Sequence, residues 1–132
     1  MNLHTRTLLT ISSLFLLAMG VVLTFAPEET LHYFGMPAWP PLQFLAQSAG
    51  GLYLGFAILD WMSKYSVIGG IYGRPLVMGN FLHFFAVAAT LARSGGMMRE
   101  HPIFRVLLAV YVLLAVWFGL VLRTNPSAES TS

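Results

Sequence analysis

The stretch IFRVLLAVYVLLAVWFGLVL, residues 103–122, decides the fold. Its only charge is Arg105, near the start, and it has no proline. A bilayer core is about 30 Å thick, so a helix crosses it in roughly 20 residues. A barrel strand would alternate polar and apolar residues. Val106-Leu107-Leu108-Ala109-Val110 shows no such alternation. In lipid the backbone must satisfy its own N–H and C=O groups, so the stretch reads as a transmembrane helix.

Three other stretches read the same way: residues 7–26, 41–62 and 75–92. Pro41, Pro75 and Pro102 stand where spans would begin. Proline suits a first helical turn, where its missing N–H needs no partner. The expected fold is all-α: an antiparallel four-helix transmembrane bundle forming one domain over residues 1–123. Residues 124–132 are small and polar and read as a disordered tail. Arg6 before an apolar run resembles a signal peptide, with Ala18-Met19-Gly20 as a small-residue site. A signal core is only about 7–15 residues long. This run continues through Val21-Val22-Leu23 to Ala26, so it reads as a retained span.

Composition agrees. Of 132 residues, 57% are hydrophobic and 9% charged. A soluble domain carries about 25% charged residues to face water. Seven Lys and Arg are scattered near span ends. A nucleic-acid footprint needs a clustered basic patch, so these read as interfacial anchors. With no cysteine, disulfides, thiolate catalysis, Cys zinc sites and c-type haem attachment are excluded.

The first connection carries Glu28 and Glu29 behind Pro27, which suits the first turn of a helix. Gly35 and Pro37 would stop it, giving a short interfacial helix over residues 27–34. The connection over residues 63–74 contains Gly69-Gly70-Ile71-Tyr72-Gly73. It lacks the Lys-Ser/Thr of a phosphate loop and reads as a flexible turn. The connection over residues 93–101 is short and basic. The first connection has no Lys or Arg, which places it outside and both termini in the cytoplasm. The expected location is the cell (inner) membrane.

Polar groups within spans are costly and become the first functional candidates. Asn80 and His83 are three apart, on one face of the third span. Tyr53 and Tyr111 fall at similar depth on the second and fourth spans, with Gln47 towards the outer side. This cluster either lines a cavity or bonds across helices as packing glue. Gly51 and Gly55 form a small-xxx-small pair, expected at a close helix contact inside the bundle or between copies. Asp60 and Lys64 are spaced for an i, i+4 ion pair near the water interface, with a proton-binding carboxylate as the functional alternative.

Glu29-x-x-His32 matches half of a di-iron motif, but that chemistry needs two such motifs and two further glutamates facing a bundle core. The chain has five dispersed acids, and its four histidines fall in four segments. No metal or cofactor is therefore expected, and no nucleophile–base pair can be assembled by spacing.

The four-span plan, the glycine-rich Gln47-Ser48-Ala49-Gly50-Gly51-Leu52-Tyr53-Leu54-Gly55 and the polar Gly79-Asn80-Phe81-Leu82-His83-Phe84-Phe85 resemble the small bacterial membrane proteins grouped as DoxX-like. The resemblance implies four spans and brings no catalytic motif. The expected function is non-enzymatic: an accessory subunit of a membrane complex, or a binder of a small hydrophobic molecule. The alternative is a small oligomeric transporter or proton-linked carrier using His83. Expected partners are the lipid bilayer and a membrane protein or second copy, and no nucleic acid.

Overall fold

The computed structural model describes residues 3–65 and 73–124. It contains four long helices, α1 (Leu3–Phe25), α3 (Pro40–Ser63), α4 (Gly73–Arg93) and α6 (Pro102–Thr124). Two short ones, α2 (Pro27–Tyr33) and α5 (Gly95–Glu100), lie in connections. No strand occurs among the described residues. The four long helices are each long and apolar enough to cross a membrane. The glycine-rich turn after Tyr65 and the expected tail from residue 125 on lie outside the described residues.

Boundaries follow local chemistry. Proline opens α3 at Pro40 and α6 at Pro102, whereas α4 begins at Gly73 with Pro75 inside its first turn. Helix α6 runs through Thr124, one residue into the expected tail, where the Thr124 hydroxyl donates to the Leu120 carbonyl at 2.9 Å. Helix α2 starts at Pro27 with Glu28 and Glu29 against its positive N-terminal end. It stops at Gly35, whose φ of 69° is the left-handed conformation that glycine adopts freely. There Gly35 N–H donates to the His32 carbonyl and Met36 N–H to the Leu31 carbonyl, both at 2.9 Å, closing a Schellman cap. Helix α5 falls in the connection read as a short basic loop. Gly95 and Gly96 open it, and their poor helix propensity hid it in the sequence.

The fold divides into two compact units. One comprises residues 9–62. In it α1 and α3 run antiparallel: Ser12 meets Asp60, Gly20 meets Leu54, and Thr24 meets Gly50. Gly20 and Gly50 let the two backbones approach. A Cβ on Gly20 would stand 2.8 Å from the Leu54 side chain, and one on Gly50 would stand 2.8 Å from the Thr24 backbone nitrogen. Lipid is as apolar as leucine, so spans associate by close packing and hydrogen bonds, and small residues make that packing possible. Gly51 and Gly55, expected at a close helix contact inside the bundle or between copies, are not at this one. A Cβ on either meets nothing within 4 Å. One residue turns a helix by about 100°, so Gly50 occupies the contact and Gly51 faces away.

The described residues of 1–8 and 63–132 form the other unit. Here α4 and α6 pack antiparallel around aromatic rings, and α5 leans on both. Phe84, Tyr111 and Phe118 are its largest fully buried side chains. Phe84 stacks on Phe118 at 5.6 Å between ring centres and tilts against Tyr111 at 5.6 Å. A Cβ on Gly119 would stand 3.2 Å from the Phe81 ring.

Candidate intramembrane sites

Within residues 9–62, Asp60 is 0% exposed although it lies in a span and carries an ionisable carboxyl. Small Ala57, one turn earlier, is also buried and leaves room for α1. Ser12, itself fully buried, donates its hydroxyl to Asp60 Oδ2 at 2.5 Å across the two helices. A hydrogen bond to a charged group is worth roughly twice a neutral one. The adjacent Ser13 behaves differently: its hydroxyl donates to the Thr10 carbonyl in its own helix at 2.9 Å. Asp60 and Lys64, expected as a pair near the water interface, are both buried. Asp60 is held by a serine. The missed signal was Ser12-Ser13, two adjacent hydroxyls in an otherwise apolar run.

The same helix pair borders a cavity of about 290 Å³. It is lined by Ser13, Leu14 and Leu17 from α1 and by Ala57, Ile58 and Trp61 from α3. Its walls are apolar apart from the Ser13 hydroxyl and the indole N–H. The helical phase explains the division. Ser12 and Ser13 point about 100° apart, so one reaches Asp60 and the other borders the cavity.

Gln47 and Tyr53 of the expected cluster belong to this unit. Gln47 is exposed, and its amide approaches the Thr24 carbonyl at 3.4 Å. Tyr53 is half-buried. Gln43 donates to the Ala38 carbonyl at 2.7 Å and so fastens the entrance of α3.

The other unit brings together the rest of the cluster. Asn80 is fully buried, and its amide nitrogen donates to the Leu76 carbonyl one turn back at 3.1 Å. His83 is half-buried, with its ring centre 5.2 Å from that of Phe84 and 6.1 Å from that of Tyr111. Asn80, His83 and Tyr111 thus gather on one α4–α6 face beside the Phe84–Phe118 stack. The arrangement is that of a polar patch set in an aromatic core, and its ring contacts are packing contacts. Among the described residues no three His, Asp or Glu gather at metal-binding spacing.

Comparison of the chain with protein-family models, with curated proteins and with solved structures gives no match.

Proposed function

We propose that the chain is a non-enzymatic multi-pass membrane protein that binds a small hydrophobic molecule between α1 and α3. The observation that carries this reading is the apolar cavity of about 290 Å³. Ligand pockets run from about 300 to 1,000 Å³, are mostly apolar, and carry a few polar groups that orient the ligand. This cavity lies just below that range. It offers aliphatic walls, one indole and one serine hydroxyl. Its wall residues belong to two spans, so a ligand would enter from the bilayer rather than from water. The four spans pack as an antiparallel bundle, α2 lies at the interface, and both termini face the cytoplasm of a bacterial inner membrane. The Lys/Arg-free first connection supports that orientation, and a C-terminal reporter that works only in the periplasm tests it by staying silent. The four-span plan also supports kinship with the DoxX-like proteins.

The test is extraction of small molecules from protein purified in mild detergent, followed by mass analysis. One apolar species should accompany the wild-type chain in fixed proportion and be missing from Leu17→Trp, which fills the cavity from a half-exposed position. The same species in both proteins, or none in either, would reject the binder.

A second reading, a proton-linked carrier, is favoured by Asp60. A fully buried carboxyl in a span, hydrogen-bonded by Ser12, is a place to hold a proton within the membrane. On this reading Asp60, rather than His83, carries the coupling. Asp60→Asn keeps an acceptor for Ser12 and removes the titration. It should abolish proton-coupled uptake in proteoliposomes while the protein still folds. Unchanged coupling would reject the carrier at this residue.

A further inference from the structure

The α1–α3 cavity has one buried polar side chain in its wall, and the direction in which that side chain bonds selects what can enter. Ser13 lines the cavity and is 3% exposed. A serine hydroxyl has one proton to donate and two lone pairs with which to accept. The proton goes to the Thr10 carbonyl at 2.9 Å, within α1. What Ser13 offers the cavity is therefore an oxygen that accepts. The hydrocarbon region holds no water to supply a donor in its place. Ser12, next in the chain, gives its own proton to Asp60.

The cavity has two unlike ends. Ser12 meets Asp60 and Gly20 meets Leu54 across the antiparallel pair, so Ser13 stands at the level of Trp61 and Leu17 at the level of Ala57. From Ser13 to Leu17 is about 6 Å along α1, at about 1.5 Å per residue. The Ser13 end is the one nearer the end of α3 at Ser63, where a span approaches the headgroups. The other end is aliphatic. Ala57 is buried, whereas Leu14, Leu17 and Ile58 are about half exposed, so the cavity opens sideways to the acyl chains.

We propose that the cavity takes an apolar alcohol or phenol, whose hydroxyl donates to the Ser13 oxygen while its body lies on Leu17, Ala57 and Ile58. This rests on the cavity being the binding site, as in the reading above. Quinones, ketones, esters and fatty-acid anions carry oxygens that only accept. To hold one of these, Ser13 must turn its proton away from Thr10, so one hydrogen bond is exchanged for another and nothing is gained. An alcohol adds a bond without breaking one. A net hydrogen bond of ordinary strength is worth about fivefold in affinity.

The test compares para-hexylphenol with para-pentylanisole by equilibrium dialysis of the full chain in mild detergent against empty micelles. The two are isomers, and only the phenol can donate. Wild type should hold the phenol about fivefold more tightly, once each probe's own partition into micelles is divided out. Ser13→Ala should lose that preference and bind the anisole as wild type does, which shows that the variant is folded. Ser13→Thr keeps a hydroxyl and should keep the preference. Leu17→Trp should lose both probes. Equal wild-type affinities, with both probes lost in Leu17→Trp, would overturn the need for a donor and leave the cavity as a binding site. A preference that survives in Ser13→Ala would overturn the role of Ser13. Binding of neither probe to wild type would reject the cavity as a site, and the alcohol with it.

Discussion

Two adjacent glycines give a controlled test of how α1 and α3 are held. Gly50→Ala and Gly51→Ala make the same chemical change one residue apart in the same helix. Alanine gains about 1 kcal/mol over glycine in helix propensity at either site, so that term cancels in the comparison. The surroundings differ. A methyl at Gly50 would stand 2.8 Å from the Thr24 backbone nitrogen and 3.0 Å from the Gly20 carbonyl oxygen. Both are main-chain atoms of α1, which cannot rotate away, so the two helices must separate. Overpacking of this kind costs about 1–3 kcal/mol. The glycine Cα–H that the methyl replaces points at the Thr24 hydroxyl, a weak contact worth perhaps 0.5–1 kcal/mol. At Gly51 the methyl meets nothing within 4 Å. Gly51→Ala should therefore be neutral or slightly stabilising. Gly50→Ala should be less stable than Gly51→Ala by about 1.5–4 kcal/mol, the sum of the overpacking and lost-contact terms. Equilibrium unfolding in mixed micelles, monitored by circular dichroism, measures that difference. Equal stabilities for the two variants would refute the close approach at Gly50.

Other outcomes follow from the same geometry. Ser12→Ala removes the hydroxyl donated to a buried carboxyl and should cost roughly 1.5–3 kcal/mol; an unchanged unfolding curve would mean that Asp60 does not depend on Ser12. Tyr65 lies outside the spans, and its phenol is lowered from an ordinary value near 10, first by the Arg6 hydrogen bond and then by the Lys64 charge. A lowered acid stabilises the fold only in its ionised form. The contribution is present above the unfolded value and disappears as pH falls through the lowered one. Ultraviolet titration should show an early-ionising tyrosine component that is lost in Tyr65→Phe and moved back towards the ordinary value in Arg6→Gln. A wild-type titration identical to that of Arg6→Gln would remove the Arg6 contact.

The spans were legible because their signal is length and apolarity, which neighbours do not alter. The start of α6 at Pro102 and the stop of α2 at Gly35 were legible because proline and glycine act on the local backbone. Helical phase was not. Choosing Gly51 over its neighbour Gly50 put the contact about 100° away. Spans rich in leucine on all sides carry no amphipathic pattern to fix that angle. Asp60 misled for a related reason. Its depth near the end of α3 suggested a site close to water, and only the position of Ser12 on another helix reveals that the carboxyl is buried. Three of the five residues of the expected polar cluster, Asn80, His83 and Tyr111, fall in one unit because α4 and α6 are joined by a short connection and so pair closely.

The two helix pairs are held by different means, and each should fail differently. In lipid, burial of apolar surface supplies little force between helices, so each pair needs its own device. For α1 and α3 the device is absence of volume at Gly20 and Gly50 together with the Ser12–Asp60 bond. Added methyl groups should harm this pair, and trimming its exposed leucines should not. For α4 and α6 the device is presence of volume, the Phe84, Tyr111 and Phe118 rings stacked and tilted at 5.6 Å. Loss of a ring should harm this pair, because lipid tails cannot enter a sealed contact to replace the missing dispersion. The Ser12–Asp60 bond joins two fully buried side chains across the two spans. A ligand that parted α1 from α3 at this level would strain that bond, which couples the cavity to the nearby carboxyl.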